Sequence, residues 1–202
     1  MKNDNNKIYE KALNLYNNGK IDKAIELCEK GISNSLKDAK ILNLKGLLLY
    51  TKGKLEEAIA LWKINKDYNN DSIAKAYIED SKNDFNRYLL CKEAESLINN
   101  LYIDEALENL LECSKSDFNL IEVNNLLALA YMKKGEYDNS IISLKKVLIV
   151  DKKNTIAKER LKEINELLDI NKKGKLLIIG LSLIVILSLS VAYKLEIINI
   201  NL

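Results

Sequence analysis

Along this chain, apolar and small residues return at spacings of three and four, the periodicity of one helix face. Ile21, Ala24 and Cys28 form one such set. Leu55, Ala58 and Trp62 repeat it, as do Ile103, Ala106 and Leu110, and then Tyr137, Ser140 and Leu144. Ahead of each set stands a second stripe at i, i+4, i+7: Tyr9, Leu13 and Tyr16; Asn43, Leu47 and Tyr50; Cys91, Glu95 and Ile98; Asn125, Leu129 and Met132. Gly19, Gly53 and Gly135 fall between paired stripes, and Leu101 holds that place in the third pair. A glycine there closes the first helix through a left-handed residue, a conformation that costs a Cβ-bearing side chain more. Gly53 lies 34 residues after Gly19 (53 − 19), and Gly135 lies 34 after Leu101 (135 − 101). Four helix–turn–helix units of fixed period predict an all-α solenoid.

Two small residues bracket each turn. Ala12, Gly46, Ala94 and Ala128 stand seven before it; Ala24, Ala58, Ala106 and Ser140 stand five after it. Small side chains at these points let the two helices of a hairpin approach closely. Ile21, Leu55, Ile103 and Tyr137 then anchor the start of the second helix, and Cys28, Trp62, Leu110 and Leu144 its middle.

In this pattern the chain resembles tetratricopeptide repeats, over about residues 5–169. The resemblance implies repeats at about 5–37, 39–70, 87–118 and 121–152. It departs from the family in having no terminal proline: Leu36, Asn70, Phe118 and Lys152 occupy those places. The second and third turns lie 48 apart (101 − 53), which is 14 more than one period and leaves room for an extra helix at about 71–84. After the fourth repeat, Ala157, Leu161, Ile164 and Leu168 make one apolar stripe opposite a charged face, predicting a capping helix at 154–169.

The C-terminus has a different pattern. A basic linker, 170–175, leads into residues 176–193, 18 residues without a charge, and a short tail, 194–202. As a helix that run spans about 27 Å, close to the hydrocarbon core of a bilayer. A buried core helix is the alternative, but it would normally show a polar face. The expectation is a single transmembrane helix. Lys172, Lys173 and Lys175 before it, against Lys194 after it, place the N-terminal domain in the cytoplasm by the positive-inside rule. The lysines also suit anionic headgroups. The N-terminus, with Asp4 and no apolar run, does not read as a secretory signal. Ser188 and Ala192 supply one small-xxx-small spacing, which leaves a homo-oligomer open.

Composition narrows the function. Lys+Arg 31 against Asp+Glu 29 gives a net charge of +2, which offers no basic face for nucleic acid. His is absent, removing the commonest general base and metal ligand. Cys28, Cys91 and Cys113 lie far apart and read as small buried hydrophobes in a reducing compartment. With no phosphate loop, acidic cluster or nucleophile elbow, an enzyme has no residues to stand on, and no cofactor or metal is called for.

By analogy with the family, the i, i+4, i+7 stripes line a concave surface. Tyr9, Leu13, Tyr16, Asn43, Leu47, Tyr50, Glu95, Ile98, Asn125, Leu129 and Met132 are therefore candidate contacts for a protein or peptide, with Cys91 on the same stripe. Amphipathic aromatics suit such a surface; packing between helices is the alternative. Chaperone-binding members clamp a carboxylate with basic residues and asparagines. Here Tyr9, Leu13, Leu44 and Tyr88 stand at those positions and only Lys92 keeps the charge, so that clamp is absent. Trp62 falls on the core register. The sequence thus reads as a membrane-anchored protein-interaction scaffold. The alternative is an assembly factor whose repeats act as a spacer.

Overall fold

The computed structural model describes residues 2–174 and Ser182. Its first unit runs through Leu161 and carries the repeats. The helices are α1 Lys2–Asn17, α2 Ile21–Asn34, α3 Ala39–Thr51, α4 Leu55–Asn69, α5 Ser72–Asp80, α6 Asp84–Asn99, α7 Ile103–Cys113, α8 Leu120–Lys134 and α9 Tyr137–Val150. A single 3₁₀ turn, Ser81–Asn83, joins α5 to α6. The described residues hold no strand, and an isolated bridge pairs Lys20 with Asp151.

Four turns share one hydrogen-bond pattern. Gly19 N–H donates to Tyr16 C=O and Lys20 N–H to Leu15 C=O; Gly53 and Lys54, Leu101 and Tyr102, and Gly135 and Glu136 repeat both bonds in register. This is the Schellman closure of a helix, whose first bond comes from a residue at positive φ. Gly19, Gly53 and Gly135 have φ of 68°, 78° and 80°, and Leu101 takes the same conformation at 65°. The third turn is therefore made without its glycine, and Leu101 bears the strain of the left-handed region.

Each hairpin packs its own two helices, α1 on α2, α3 on α4, α6 on α7 and α8 on α9. The small residues sit at the closest approaches. Ala12, Ala24, Ala58, Ala94, Ala106, Ala128 and Ser140 are fully buried. At Gly46 the Trp62 ring comes so near that a Cβ would lie 2.2 Å from its Nε1. Trp62, Cys28, Leu110 and Leu144 are buried; Leu55, Ile103 and Tyr137 are half-buried.

The hairpins form two pairs. In the first, α1 to α4 are closed by α5, which packs on α4. Asp71 caps α5 by accepting from Ala74 N–H at 2.7 Å, as Asp38 caps α3 by accepting from Ile41 N–H at 3.2 Å. With Asp71 33 residues after Asp38 (71 − 38), α5 is a third first-type helix cut short. The 3₁₀ turn then redirects the chain, and α6 to α9 fold back so that their connecting loops meet the turns of the first pair. Lys152 N–H donates to Gly19 C=O at 2.9 Å, and Asn119 N–H donates to Tyr50 C=O at 3.0 Å. Asn119, itself at a φ of 53°, lays its side chain against Gly53, where a Cβ would come within 2.3 Å of Oδ1. Ile121 joins the core of the first pair beside Tyr16 and Leu48.

Residues 155–161, helical and capped by Asn154 accepting from Ala157 N–H, end the first unit; Ala157 is buried and Leu161 half-buried. In the second unit residues 162–174 are helical, with Ile164 buried and Leu168 exposed. Among the described residues no helix is long and apolar enough to cross a membrane. The span expected at 176–193 and the tail at 194–202 lie outside the described residues.

Candidate functional site

The candidate groove residues divide into three places. Tyr9 and Leu13 of α1 and Asn43 and Leu47 of α3 come together across a cleft of about 240 Å³ whose third wall is α5. Lys40, Asp71, Ile73 and Tyr77 complete it. Three first-type helices thus form a trough, walled by aromatic and aliphatic side chains with a cation and an anion at its rim. Lys40 Nζ lies 5.4 Å from the Tyr9 ring and donates to Asn6 Oδ1 at 3.2 Å.

Asn43 does not face this cleft as a free reader of a ligand. Its Nδ2 donates to Asp71 Oδ1 at 3.0 Å, and its Oδ1 accepts from Asn65 Nδ2 at 2.7 Å. Asn65, fully buried, also donates to Ala39 C=O and accepts from Asn69. This amide chain satisfies polar groups that would otherwise be costly inside, and it fixes α5 against α3 and α4. Asn43 therefore shapes the trough, leaving Tyr9, Leu13, Leu47, Ile73 and Tyr77 to contact a partner. Behind the wall Tyr77 lies 4.9 Å from Trp62, ring centroid to centroid.

Tyr16 and Tyr50 occupy the second place, the junction of the two pairs. Tyr50 stacks between Trp62 at 5.4 Å and Phe118 at 5.3 Å. Its hydroxyl bonds Asp84, and Ser116 Oγ at 2.8 Å. Asp84, with no exposed side-chain surface, is held in turn by Arg87 at 2.8 Å. Burial, and then the Asp84 carboxylate, push the Tyr50 phenol above its ordinary range. Burial likewise raises Tyr16. Both tyrosines are spent on packing the second pair against the first.

Glu95, Ile98, Asn125, Leu129 and Met132 lie in the second pair, away from the trough. Cys91 and Ile98 belong to its core, with Leu129 packed against them. Asn125 is buried, and its carbonyl accepts from Arg160 at 2.5 Å. Glu95 pairs with Lys92 at 3.1 Å. Met132 is half-buried and gives its carbonyl to the fourth turn. The sequence pattern missed the α5 wall. The signal for it was Asp71 at one period from Asp38, opening a helix too short to show a stripe.

Residues 121–154, which hold α8, the fourth turn and α9, match the family model described as tetratricopeptide repeat. No curated protein matches the chain. Among solved structures, the one described as the MamA RS-1 ArsTM double mutant is similar at 14% identity. That likeness covers 84% of this chain and 97% of that one, at a TM-score of 0.34.

Proposed function

We propose that this chain is a tetratricopeptide-type scaffold that holds a protein or peptide in the trough between α1, α3 and α5. The observation that carries the reading is the convergence of Tyr9, Leu13 and Leu47 on a cleft with a wall of their own type at Ile73 and Tyr77. Amphipathic aromatics on rigid helices give contact area at small entropic cost. Because the Asn43 amide is engaged on both sides, the partner is read by shape and apolar contact more than by its backbone. Residues 176–193 hold the scaffold to a membrane as a single span, and Lys172, Lys173 and Lys175 keep the repeats on the cytoplasmic side.

Two experiments test this. Leu47→Glu places a charge in the trough, and Tyr9→Ala removes its aromatic lip. Both should abolish recovery of a discrete partner from solubilised membranes while the circular dichroism melt stays near that of the wild type. Recovery unchanged in both variants would remove the trough from the account. For the anchor, carbonate washing should leave the chain in the membrane, and protease added outside intact cells should spare the repeats. Release by carbonate, or digestion from outside, would reject the span or its orientation.

A further inference from the structure

The two hairpin pairs meet through unlike surfaces. The first pair presents its turn edge, Gly19 and Gly53; the second presents its loop edge, Phe118, Asn119, Ile121 and Lys152. Each pair has both kinds of edge, so one of each stays uncovered. The uncovered loop edge belongs to the first pair. Leu36 stands 17 after its turn residue (36 − 19), as Phe118 stands 17 after Leu101 (118 − 101), yet Phe118 is 2% exposed and Leu36 70%. Ile73 stands 20 after its turn residue (73 − 53), as Ile121 does (121 − 101), and Ile73 is 54% exposed. The uncovered turn edge belongs to the second pair, where Leu101 is 70% and Tyr102 55% exposed and the space over Gly135 is empty to 4 Å.

We infer that copies of this chain associate head to tail, the Leu101–Gly135 turn edge of one receiving the Leu36–Ile73 loop edge of the next. The contact continues the interface already made inside each chain. The operation that carries the first pair onto the second, applied once more, sets the first pair of a new copy on the second pair of the old. Such a contact joins different patches on the two partners, so it extends unless the rotation closes a ring. The apolar side chains at both uncovered edges match this occupant: Leu36 and Ile73 take the places where Phe118 and Ile121 are buried. The surface is separate from the α1–α3–α5 trough except at Ile73, so the inference does not rest on partner binding.

Sedimentation velocity of the full chain in mild detergent, across a range of concentrations, tests it. Wild-type protein should grow past dimer as concentration rises. Leu36→Asp and Leu101→Asp each spoil one edge, and each variant alone should associate about tenfold or more weakly. Aspartate tolerates the left-handed conformation at position 101, and Tyr102→Glu serves as a second turn-edge variant should the melt of Leu101→Asp shift. An equimolar mixture of the Leu36→Asp and Leu101→Asp proteins keeps one intact edge on each and should stop at a dimer. Three results would each overturn the inference: wild type single at every concentration, assembly indifferent to both substitutions (as when residues 176–193 alone associate), or a mixture that stays single.

Discussion

Gly46→Ala should destabilise a helix that alanine would normally strengthen. On helix propensity alone the change favours α3 by about 1 kcal/mol. The new methyl, however, would lie 2.2 Å from Trp62 Nε1 and 2.8 Å from both Cδ1 and Cε2, against an ordinary carbon contact of about 3.5–4.0 Å. The indole has nowhere to retreat: it is buried, with the Tyr50 and Tyr77 rings beside it at 5.4 and 4.9 Å. Either α3 and α4 part by more than an ångström or the ring tilts out of its stack. Overpacking of this kind costs about 1–3 kcal/mol, and the separation below 3 Å puts it near the upper end. The net loss is about 1–2 kcal/mol after the propensity gain. For a domain of this size that lowers the melting temperature by about 2–8 °C. Trp62 is the single tryptophan of the chain, so its emission reports the same event: it should shift red in the folded variant as the ring loosens. Gly46→Ala melting at or above the wild type with unchanged emission would refute the close α3–α4 approach.

Tyr50→Phe should cost about 1–3 kcal/mol in denaturant titration, because buried Asp84 keeps Arg87 but loses the phenol that bridges it to Ser116; a neutral result would mean the junction does not depend on that hydroxyl. Gly19→Ala should lower the melt more than Gly135→Ala: both carry positive φ, but only at Gly19 would a Cβ also meet backbone, Ile149 C=O at 2.8 Å. Equal effects would remove the turn–loop contact from the account. Burial holds Cys28 and Cys91 up to about 12 and Cys113 up to about 11, from an ordinary 9.0. The unfolded chain therefore ionises its thiols first. That contribution to stability is complete below pH 9 and is lost as pH rises from there through 11 and 12. Native protein at pH 8 should resist alkylation that is rapid in urea, and fast labelling of the native state would show the thiols accessible.

The hairpins were legible because close approach demands small side chains, and smallness is visible in sequence: alanine at 12, 24, 58, 94, 106 and 128 can be read without knowing its neighbours. The turns were legible where glycine makes them. Leu101 shows the limit, since nothing in a leucine announces a φ of 65°; only the period marks it. The junction between the pairs was not legible. Tyr16 and Tyr50 share a face with Tyr9, and a stripe cannot tell a wall open to solvent from one covered by Phe118 and Ile121, which lie 68 (118 − 50) and 105 (121 − 16) residues away in sequence. Asn65 reads as a weak end to the second repeat, whereas it relays hydrogen bonds between Asn43 and Asn69 inside the fold. Its meaning depends on partners 22 residues before it and four after it.

The most direct test of the scaffold reading is site-specific photo-crosslinking in intact membranes. A photoreactive phenylalanine analogue is placed in turn at Tyr9, at Tyr77 and, as a control on the outer surface of α9, at Ile142, which is 55% exposed. The account predicts the same discrete adduct from Tyr9 and Tyr77, abolished by Leu47→Glu, with none from Ile142. Equal labelling from all three sites, or adducts at Tyr9 and Tyr77 that survive Leu47→Glu, would contradict it.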